Sequence, residues 1–243
     1  MAFLSIGSAN AMTLDEIKAK GEIRFAIDGE TPPFNYFKGK KPAGFEVELA
    51  TLLAKNMKLN PVFIAQAFNT LLVGIQSNRF DVIVTSHAMT EGRKKAAQFL
   101  NPLYCTNAVL LVLPGGPKTK TEAVGKVLGT PTGTVYYDAA KKIPGIKDVM
   151  TYPAETDGIQ ALLMKKIDAY VTDQFVAKEA LRVHADKKLE AGEAILKQIN
   201  AWVVAQGNLS LEKTVNDELE KLVKDGTFRK LSQRYFSEDI RCK

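Results

Sequence analysis

The sequence repeats Arg79-Phe80-Asp81-Val82-Ile83-Val84-Thr85-Ser86 in residue class as Lys166-Ile167-Asp168-Ala169-Tyr170-Val171-Thr172-Asp173. In both stretches an aspartate precedes a short apolar run, which ends in a threonine and a second polar residue. An amphipathic helical pattern comes before each stretch, and a bounded apolar run of this length is typical of a buried parallel strand. The repeat therefore predicts two similar α/β units in one chain.

Around the first copy, β-type runs alternate with helical runs. Residues 23–27 and 61–64 have the composition of strands, and residues 44–57 place apolar side chains on one helical face. A short helical pattern through residues 71–75 precedes the strand at 81–84. This βαβαβ order predicts an open, mostly parallel sheet with helices on both faces.

The second copy ends a similar series. Strands are predicted at 126–128, 148–150 and 168–171, and the helical patterns between them run through Tyr137 and Ile159. The predicted fold class is therefore α/β, with two lobes that each hold an open, mostly parallel sheet flanked by helices.

Two β-rich runs, 109–113 and 201–205, connect the predicted units, and we expect both to cross between the lobes. Residues 12–107 are predicted to form the first part of lobe 1, and residues 108–200 are predicted to form lobe 2. Residues 201–243 would contain the second crossover and then return to lobe 1 as two helices, separated at Gly226.

The charge distribution indicates a solvated surface. The 243 residues include 33 Lys and Arg against 27 Asp and Glu, a formal net charge of +6. The lysines are spread along predicted helices, whereas a nucleic-acid interface would cluster basic residues with interleaved aromatics. No nucleic-acid partner is expected.

The N-terminal residues 1–11 are small and apolar and end in Ala9-Asn10-Ala11. This pattern is typical of the end of a secretory signal peptide, which would place the protein in the periplasm. A disordered N-terminal tail is the alternative. Cys105 and Cys242 lack the spacing of a metal or redox motif, so they form either one disulfide or two free thiols.

Candidate binding residues follow from the position of the strand ends. In an open parallel sheet, ligands bind beyond the carboxyl ends of the strands, where the topology changes direction. This rule selects nearly all polar positions: Asp28, Thr85, Ser86, His87, residues 132–134 including Thr134, and Asp173. Two such edges that face each other would form a cleft.

Arg93 is the predicted carboxylate ligand in that cleft. Thr90 is a good N-cap for the helix that follows Ser86, so Arg93 would project from its first turn near the strand ends. A guanidinium binds a carboxylate through two parallel hydrogen bonds. The alternative is a surface arginine beside Lys94 and Lys95.

The glycine-containing run 129–134 opens a predicted helix, and its N–H groups and hydroxyls could hold an anion. It lacks the Gly-Lys-Ser/Thr ending of a nucleotide-binding P-loop. Asp173 could pair a ligand ammonium or could cap the next helix. Phe68 could form an apolar wall of the cleft or belong to the core.

The chain also resembles the type II periplasmic solute-binding proteins of the polar amino-acid uptake class, also called family 3 extracellular solute-binding proteins. The resemblance covers residues 14–236, and its strongest marks are the motifs at 27–34, 44–50, 80–84, 90–95, 224–227 and 235–236. It implies a protein that closes on an amino acid or a related small amine or carboxylate. The partner would be the membrane permease of an ABC importer.

The resemblance also implies roles for single residues. Arg93 would hold the ligand α-carboxylate with help from Thr134, and Asp173 would take the α-ammonium. The other site residues would line the cleft: Thr85, Ser86 and Ala88 at the first-lobe edge, Phe68 against the ligand side chain, and Asp28 with Glu30 at its far end. No cofactor, metal or catalytic residue is implied, and the protein would be a monomer.

Three residues depart from the family pattern. Thr31 replaces an aromatic that often precedes the Pro-Pro-Phe run, and Ala88 replaces a hydroxyl residue. His87 is unusual at this edge and would either face the ligand or point into the first lobe. Two other functions occur on this fold and remain alternatives, a cyclohexadienyl-dehydratase-like enzyme and the ligand-sensing domain of a receptor.

Overall fold

A computed structural model describes residues 11–242 of the chain. The predicted signal-peptide remnant therefore lies almost wholly outside the described residues. The helices are α1 Leu14–Lys20, α2 Phe45–Asn56, α3 Leu71–Gln76, α4 Glu91–Ala96, α5 Tyr136–Lys141, α6 Glu155–Leu163, α7 Gln174–Val183, α8 Leu209–Lys224 and α9 Thr227–Phe236. The strands are β1 Glu22–Ile27, β2 Glu30–Thr31, β3 Asn35–Lys38, β4 Lys41–Ala43, β5 Asn60–Ala65, β6 Val82–Ile83, β7 Gln98–Phe99, β8 Tyr104–Val112, β9 Val127–Pro131, β10 Asp148–Tyr152, β11 Ala169–Asp173, β12 Glu190–Asn200 and β13 Val203–Val204.

Two five-stranded sheets with the same plan form the two lobes. The first has the order β5-β1-β6-β13-β7, and the second has the order β10-β9-β11-β8-β12. In each sheet the first three strands are parallel and the last two run antiparallel to their neighbours. The predicted fold class is confirmed, because both sheets are mixed and carry helices on their faces.

The repeated octapeptides occupy equivalent places in the two sheets. They contain β6 and β11, each of which lies third in its sheet. The aspartate before each strand accepts a hydrogen bond from the backbone of the neighbouring first strand. Arg24 N donates to Asp81 Oδ2 at 2.8 Å, and Val127 N donates to Asp168 Oδ2 at 2.8 Å. The hydrogen bonds that the two aspartates accept therefore explain why an aspartate occurs at this place in both copies of the repeat.

The first lobe has a large aromatic core to which the C-terminal helices contribute. Phe228 and Phe236 of α9 pack against Phe45 of α2, with ring centroids 5.3 and 5.0 Å apart. Phe34 and Tyr104 stack in the same core. Burial of aromatic rings provides large hydrophobic stabilisation, so this core anchors the returning segment to the first sheet.

The strands that link the lobes differ from the predicted ones. The first, β8, matches the predicted run at 109–113 but begins earlier, at Tyr104. Its long antiparallel partner is β12, for which the sequence predicted no strand, whereas β13 within the predicted run 201–205 belongs to the first sheet. Strand β12 is polar, half-exposed and irregular in register, which hides its period-2 pattern. The domain boundaries themselves stay a prediction.

The two cysteines form one disulfide. Cys105 and Cys242 are bonded with their Cα atoms 4.8 Å apart, and Cys105 N donates to the Ile240 carbonyl at 2.9 Å. The bond fixes the C-terminal segment to the beginning of β8. In the chain-entropy picture, closing a loop of 137 residues stabilises the folded state by about 5 kcal/mol.

Candidate functional site

A cavity of about 330 Å³ lies between the two sheets, and residues of both lobes line it. Asp28, Ser86 and Pro131 reach it from the carboxyl ends of β1, β6 and β9. This is the position that the open-sheet rule predicts for a ligand. Among residues 11–242 no group of three or more His, Cys, Asp or Glu is arranged to hold a metal ion.

Seven of the ten predicted site residues line this cavity: Asp28, Glu30, Phe68, Ser86, Ala88, Arg93 and Thr134. Thr85, His87 and Asp173 are buried behind its wall. The cavity thus brings together most of the predicted residues, and their roles toward a ligand stay predictions.

Arg93 contacts both lobes at the cavity. Thr90 caps α4 by accepting a hydrogen bond from Arg93 N at 3.2 Å, as the sequence predicted. The guanidinium donates from Nη1 to the Ala88 carbonyl at 3.0 Å and from Nη2 to the Gly133 carbonyl at 2.8 Å. Burial lowers the pKa of Arg93, but a guanidinium remains protonated in proteins. Two of its five N–H groups are used by these bonds.

The second-lobe loop that meets Arg93 is closely packed against the first lobe. Gly133 has a left-handed backbone, with φ at +80°. A Cβ atom at this position would lie 2.7 Å from Asn69 Cβ and 3.1 Å from Asn69 Cα. Thr134 Oγ1 donates to the Pro131 carbonyl at 2.9 Å, which fixes the turn before α5. Glycine is therefore required for this approach between the lobes.

His87 supports the cavity wall from behind. Its ring stacks on Phe68 with centroids 4.4 Å apart, and the guanidinium of Arg93 also lies over the Phe68 ring, with its Cζ 5.5 Å from the ring centroid. His87 Nδ1 is 2.6 Å from Thr85 Oγ1. Burial, followed by the nearby charge of Arg93, holds the pKa of His87 well below its usual value, so the ring is neutral. Of the two orientations that the sequence left open for His87, the structure has the one in which the ring points into the first lobe.

Asp173 adopts the N-cap arrangement. Its Oδ1 accepts a hydrogen bond from Phe175 N at 2.8 Å at the beginning of α7. Gln198 Nε2 donates to its Oδ2 at 3.3 Å, and Gln198 is the residue of this pair that lines the cavity. Burial raises the pKa of Asp173 to about 6. Pairing with a ligand ammonium stays a prediction for this side chain.

The opposite part of the cavity is acidic. Thr31 Oγ1 donates to Asp28 Oδ2 at 2.7 Å, and Glu30 N donates to Asp28 Oδ1 at 3.3 Å. Burial raises the pKa of Asp28 to about 6 despite these bonds. Thr31 thus places a hydroxyl group where the family pattern often has an aromatic ring.

Sequence reasoning missed four polar residues of the cavity: Gln66, Tyr136, Glu155 and Gln198. Glu155 begins α6 just beyond the carboxyl end of β10. The strand-end rule would have found it had the rule been applied to the middle predicted strand of the second lobe. Gln198 lies on β12, which was not predicted, and its Nε2 donates to Tyr136 Oη at 2.8 Å.

A buried polar network supports the first-lobe side of the cavity. Tyr104 Oη lies 3.0 Å from Ser86 Oγ and 2.5 Å from Glu46 Oε1. Asn35 Nδ2 donates to Glu46 Oε2 at 2.9 Å, and Asn35 Oδ1 accepts from Gly29 N. Burial raises the pKa of Glu46 to about 8. The network connects the loop that carries Asp28 to the end of β6.

Comparison with known proteins agrees with this arrangement. Residues 23–238 match the family described as bacterial extracellular solute-binding proteins, family 3. The L-cystine-binding protein TcyJ of Escherichia coli (strain K12) is 31% identical over 247 residues, which cover 99% of this chain and 92% of TcyJ. The L-arginine-binding protein of Pseudomonas aeruginosa is 25% identical over 257 residues, covering 99% and 97% of the two chains.

A solved structure shows the same fold. The crystal structure of a mutant of ArgBP from T. maritima superposes with a TM-score of 0.86 at 27% identity, covering 93% of this chain and 100% of that one. No described helix has the length and hydrophobicity needed to cross a bilayer. The motifs, the two-lobed fold and the family match agree, and the chain belongs to family 3 of the bacterial extracellular solute-binding proteins.

Proposed function

We propose that this protein binds an amino acid in the cavity between its lobes and delivers it to the membrane permease of an ABC importer. The observation that carries the proposal is the position of Arg93, whose guanidinium lies in the cavity wall and touches both lobes. A planar guanidinium is suited to bind an α-carboxylate. Its bond to the Gly133 carbonyl links carboxylate binding to the approach of the second lobe.

The relatives support an amino-acid ligand. The similar proteins from Escherichia coli and Pseudomonas aeruginosa are named for binding L-cystine and L-arginine. Both of those ligands carry a cationic nitrogen in addition to one α-ammonium group. The cavity, of about 330 Å³, falls within the size range of small-molecule sites.

Each predicted site residue has its own role in this proposal. Arg93 and Thr134 hold the carboxylate, Phe68 packs against the ligand side chain, and Ser86 and Ala88 form the first-lobe edge. Thr85 and His87 hold Phe68 in place from behind. Asp173 reaches the ligand ammonium if Gln198 moves aside, and Asp28 with Glu30 faces the far end of the ligand.

Closure of the lobes follows from this division. A ligand that contacts both lobes binds the closed state better than the open one, so it shifts the population toward the closed form. The permease then recognises the closed protein. We place the protein in the periplasm as a monomer that binds and releases its ligand unchanged; turnover of a cyclic carboxylate would support the dehydratase-like alternative instead.

Replacement of Arg93 tests the proposal. We expect R93A to weaken binding of any amino acid that stabilises the wild type by about 100-fold or more, because a buried charge pair is lost. The measurement is calorimetric titration, after a thermal-shift screen with L-cystine, L-arginine and a panel of neutral amino acids. The matched control is K95A, which removes an exposed cation from the same helix.

The melting temperature of empty R93A should stay close to that of the wild type. Wild-type affinity in R93A, with K95A equally unchanged, would refute the assignment of the carboxylate site.

A further inference from the structure

The second lobe places a carboxyl group, Glu155, in the cavity. Glu155 is the first residue of α6, and its side chain is buried with the residue only 6% exposed. Thr172 Oγ1 donates to Glu155 Oε2 at 2.9 Å, which fixes the carboxyl group against the end of β11. The carboxyl group lines the cavity between the lobes.

Acidic residues of the first lobe face the same region. Helix α6 contacts β2, the short strand that contains Glu30, across the cleft. Asp28 precedes that strand and also lines the cavity. Three acidic side chains from two lobes therefore line the same cavity.

An amino acid with one carboxylate and one ammonium group would not pair all the charged side chains that line the cavity. Among the described residues that line it, Arg93 is the one cationic side chain, against Asp28, Glu30 and Glu155. The carboxylate of a bound amino acid would neutralise Arg93, and its ammonium would neutralise one acid. The remaining acids would then either take up protons or stay charged and unpaired in a closing, poorly solvated space, and an unpaired charge there is costly.

The raised pKa of Glu155 indicates that no cationic side chain among the described residues pairs with this carboxyl group. Burial, together with the nearby charges of Asp28 and Asp173, raises the pKa of Glu155 to about 8. Among residues 11–242, no cationic side chain forms an ion pair with this carboxyl group. A cation brought by a ligand would restore its charged form.

We propose that Glu155 binds a second cationic nitrogen of the ligand, so that the ligand is an amino acid with a cationic group beyond one α-ammonium. This inference rests on the proposed function and names its substrate class. Two sources carry the required group: a basic side chain, as in L-arginine, or a second α-ammonium group, as in L-cystine, which also brings a second carboxylate. In both cases one carboxylate lies at Arg93 and the second cation lies between Glu155 and Asp28.

The test compares each charged ligand, which carries the second cation, with an uncharged counterpart of similar size, which lacks that cation. L-Arginine is paired with L-citrulline, and L-cystine is paired with the mixed disulfide of L-cysteine and 3-mercaptopropionate, each titrated calorimetrically into the wild type. We expect at least one charged ligand to bind about 30-fold or more tightly than its counterpart, which is the effect of a buried charge pair. The arginine and cystine arms distinguish the two sources of the cation.

Two variants assign the effect to Glu155. E155Q retains an oxygen that can accept from Thr172 Oγ1, and we expect it to lose about 30-fold or more in affinity for the charged ligand. Affinity for the uncharged counterpart should stay within about 3-fold, a difference smaller than one exposed ion pair contributes. D157N removes an exposed acid from the same first turn of α6, and we expect unchanged affinity for both ligands.

The outcomes separate this inference from the proposed function. Tight binding of neutral amino acids with no preference for a second cation, or equal affinities in E155Q and the wild type, would overturn the role of Glu155 while the Arg93 site stands. Equal affinities of R93A and the wild type would instead refute the proposed function. A melting temperature of empty E155Q near the wild-type value shows that the variant is folded.

Discussion

The ends of β6 and β11 have nearly the same sequence and the same place in their sheets, yet they serve the cavity differently. In the first lobe, Ser86 lines the cavity and Thr85 contacts His87 behind the wall. In the second lobe, Thr172 donates to Glu155 and Asp173 caps α7. The repeat thus preserves the backbone that forms the cleft edge, whereas the side chains at the two strand ends make different contacts.

The aspartates at the other end of the same strands are used alike. Asp81 and Asp168 both accept a backbone hydrogen bond from the first strand of their sheet. Only Asp81 adds an ion pair, with its Oδ1 2.8 Å from Arg24 Nη2. The comparison teaches that repeated residues distant from the cleft maintain the sheet and that the residues at the cleft have diverged.

The largest expected effect concerns how the free energy of unfolding depends on pH. Glu46 of the first lobe is protonated in the folded protein near neutral pH, because burial raises its pKa from 4.5 to about 8. Between these values the folded state binds more protons than the unfolded state, so the free energy of unfolding falls as pH rises. For Glu46 the loss is on the order of 5 kcal/mol.

The variant E46Q isolates this contribution. Its amide imitates the protonated acid. The amide oxygen can accept from Asn35, and the amide N–H can donate to Tyr104 Oη when the tyrosine hydroxyl donates to Ser86 Oγ instead of to residue 46. We expect E46Q and the wild type to have similar free energies of unfolding at pH 5 and E46Q to be more stable at pH 9. Urea denaturation across this range measures the difference, and parallel pH profiles would contradict the account.

A smaller effect distinguishes the two repeated aspartates. We expect D81A to lower the free energy of unfolding by about 2 to 3 kcal/mol, because Arg24 and a backbone N–H lose a buried partner. D168A should cost about 1 kcal/mol, since it removes a backbone hydrogen bond at an exposed residue. Chemical denaturation of the two variants provides the measurement. Equal losses would show that the ion pair of Asp81 contributes nothing.

Much of this organisation is predictable from sequence because local patterns determine it. The repeat around Val82 and Val171, the Thr90 cap and the strand-end rule together located the cleft, and seven of the ten predicted site residues line it. These features depend on backbone geometry that short segments encode.

The remaining features depend on contacts that sequence spacing does not reveal. The orientation of His87 is set by Phe68 and Thr85, which surround its ring. Gln198 stands between Asp173 and the cavity only because β12 pairs with β8, and β12 has a polar, irregular pattern. The Cys105–Cys242 bond likewise required knowledge of where the C-terminal segment ends.

The central claim is that binding requires the two lobes to meet at Gly133. G133A tests it most directly, because the new Cβ would lie 2.7 Å from Asn69 Cβ and prevent the closed approach. Its control is G125A, also in the second lobe with positive φ, where a Cβ meets nothing within 4 Å. Both variants should lose about 1 kcal/mol of stability from the left-handed backbone.

The deciding measurement is the affinity of each variant for the amino acid that binds the wild type most tightly, determined by calorimetric titration. We predict that G133A loses about 10-fold or more in affinity, since the closed state becomes less populated, whereas G125A binds like the wild type. Equal affinities of G133A and G125A would contradict ligand capture by closure of the lobes.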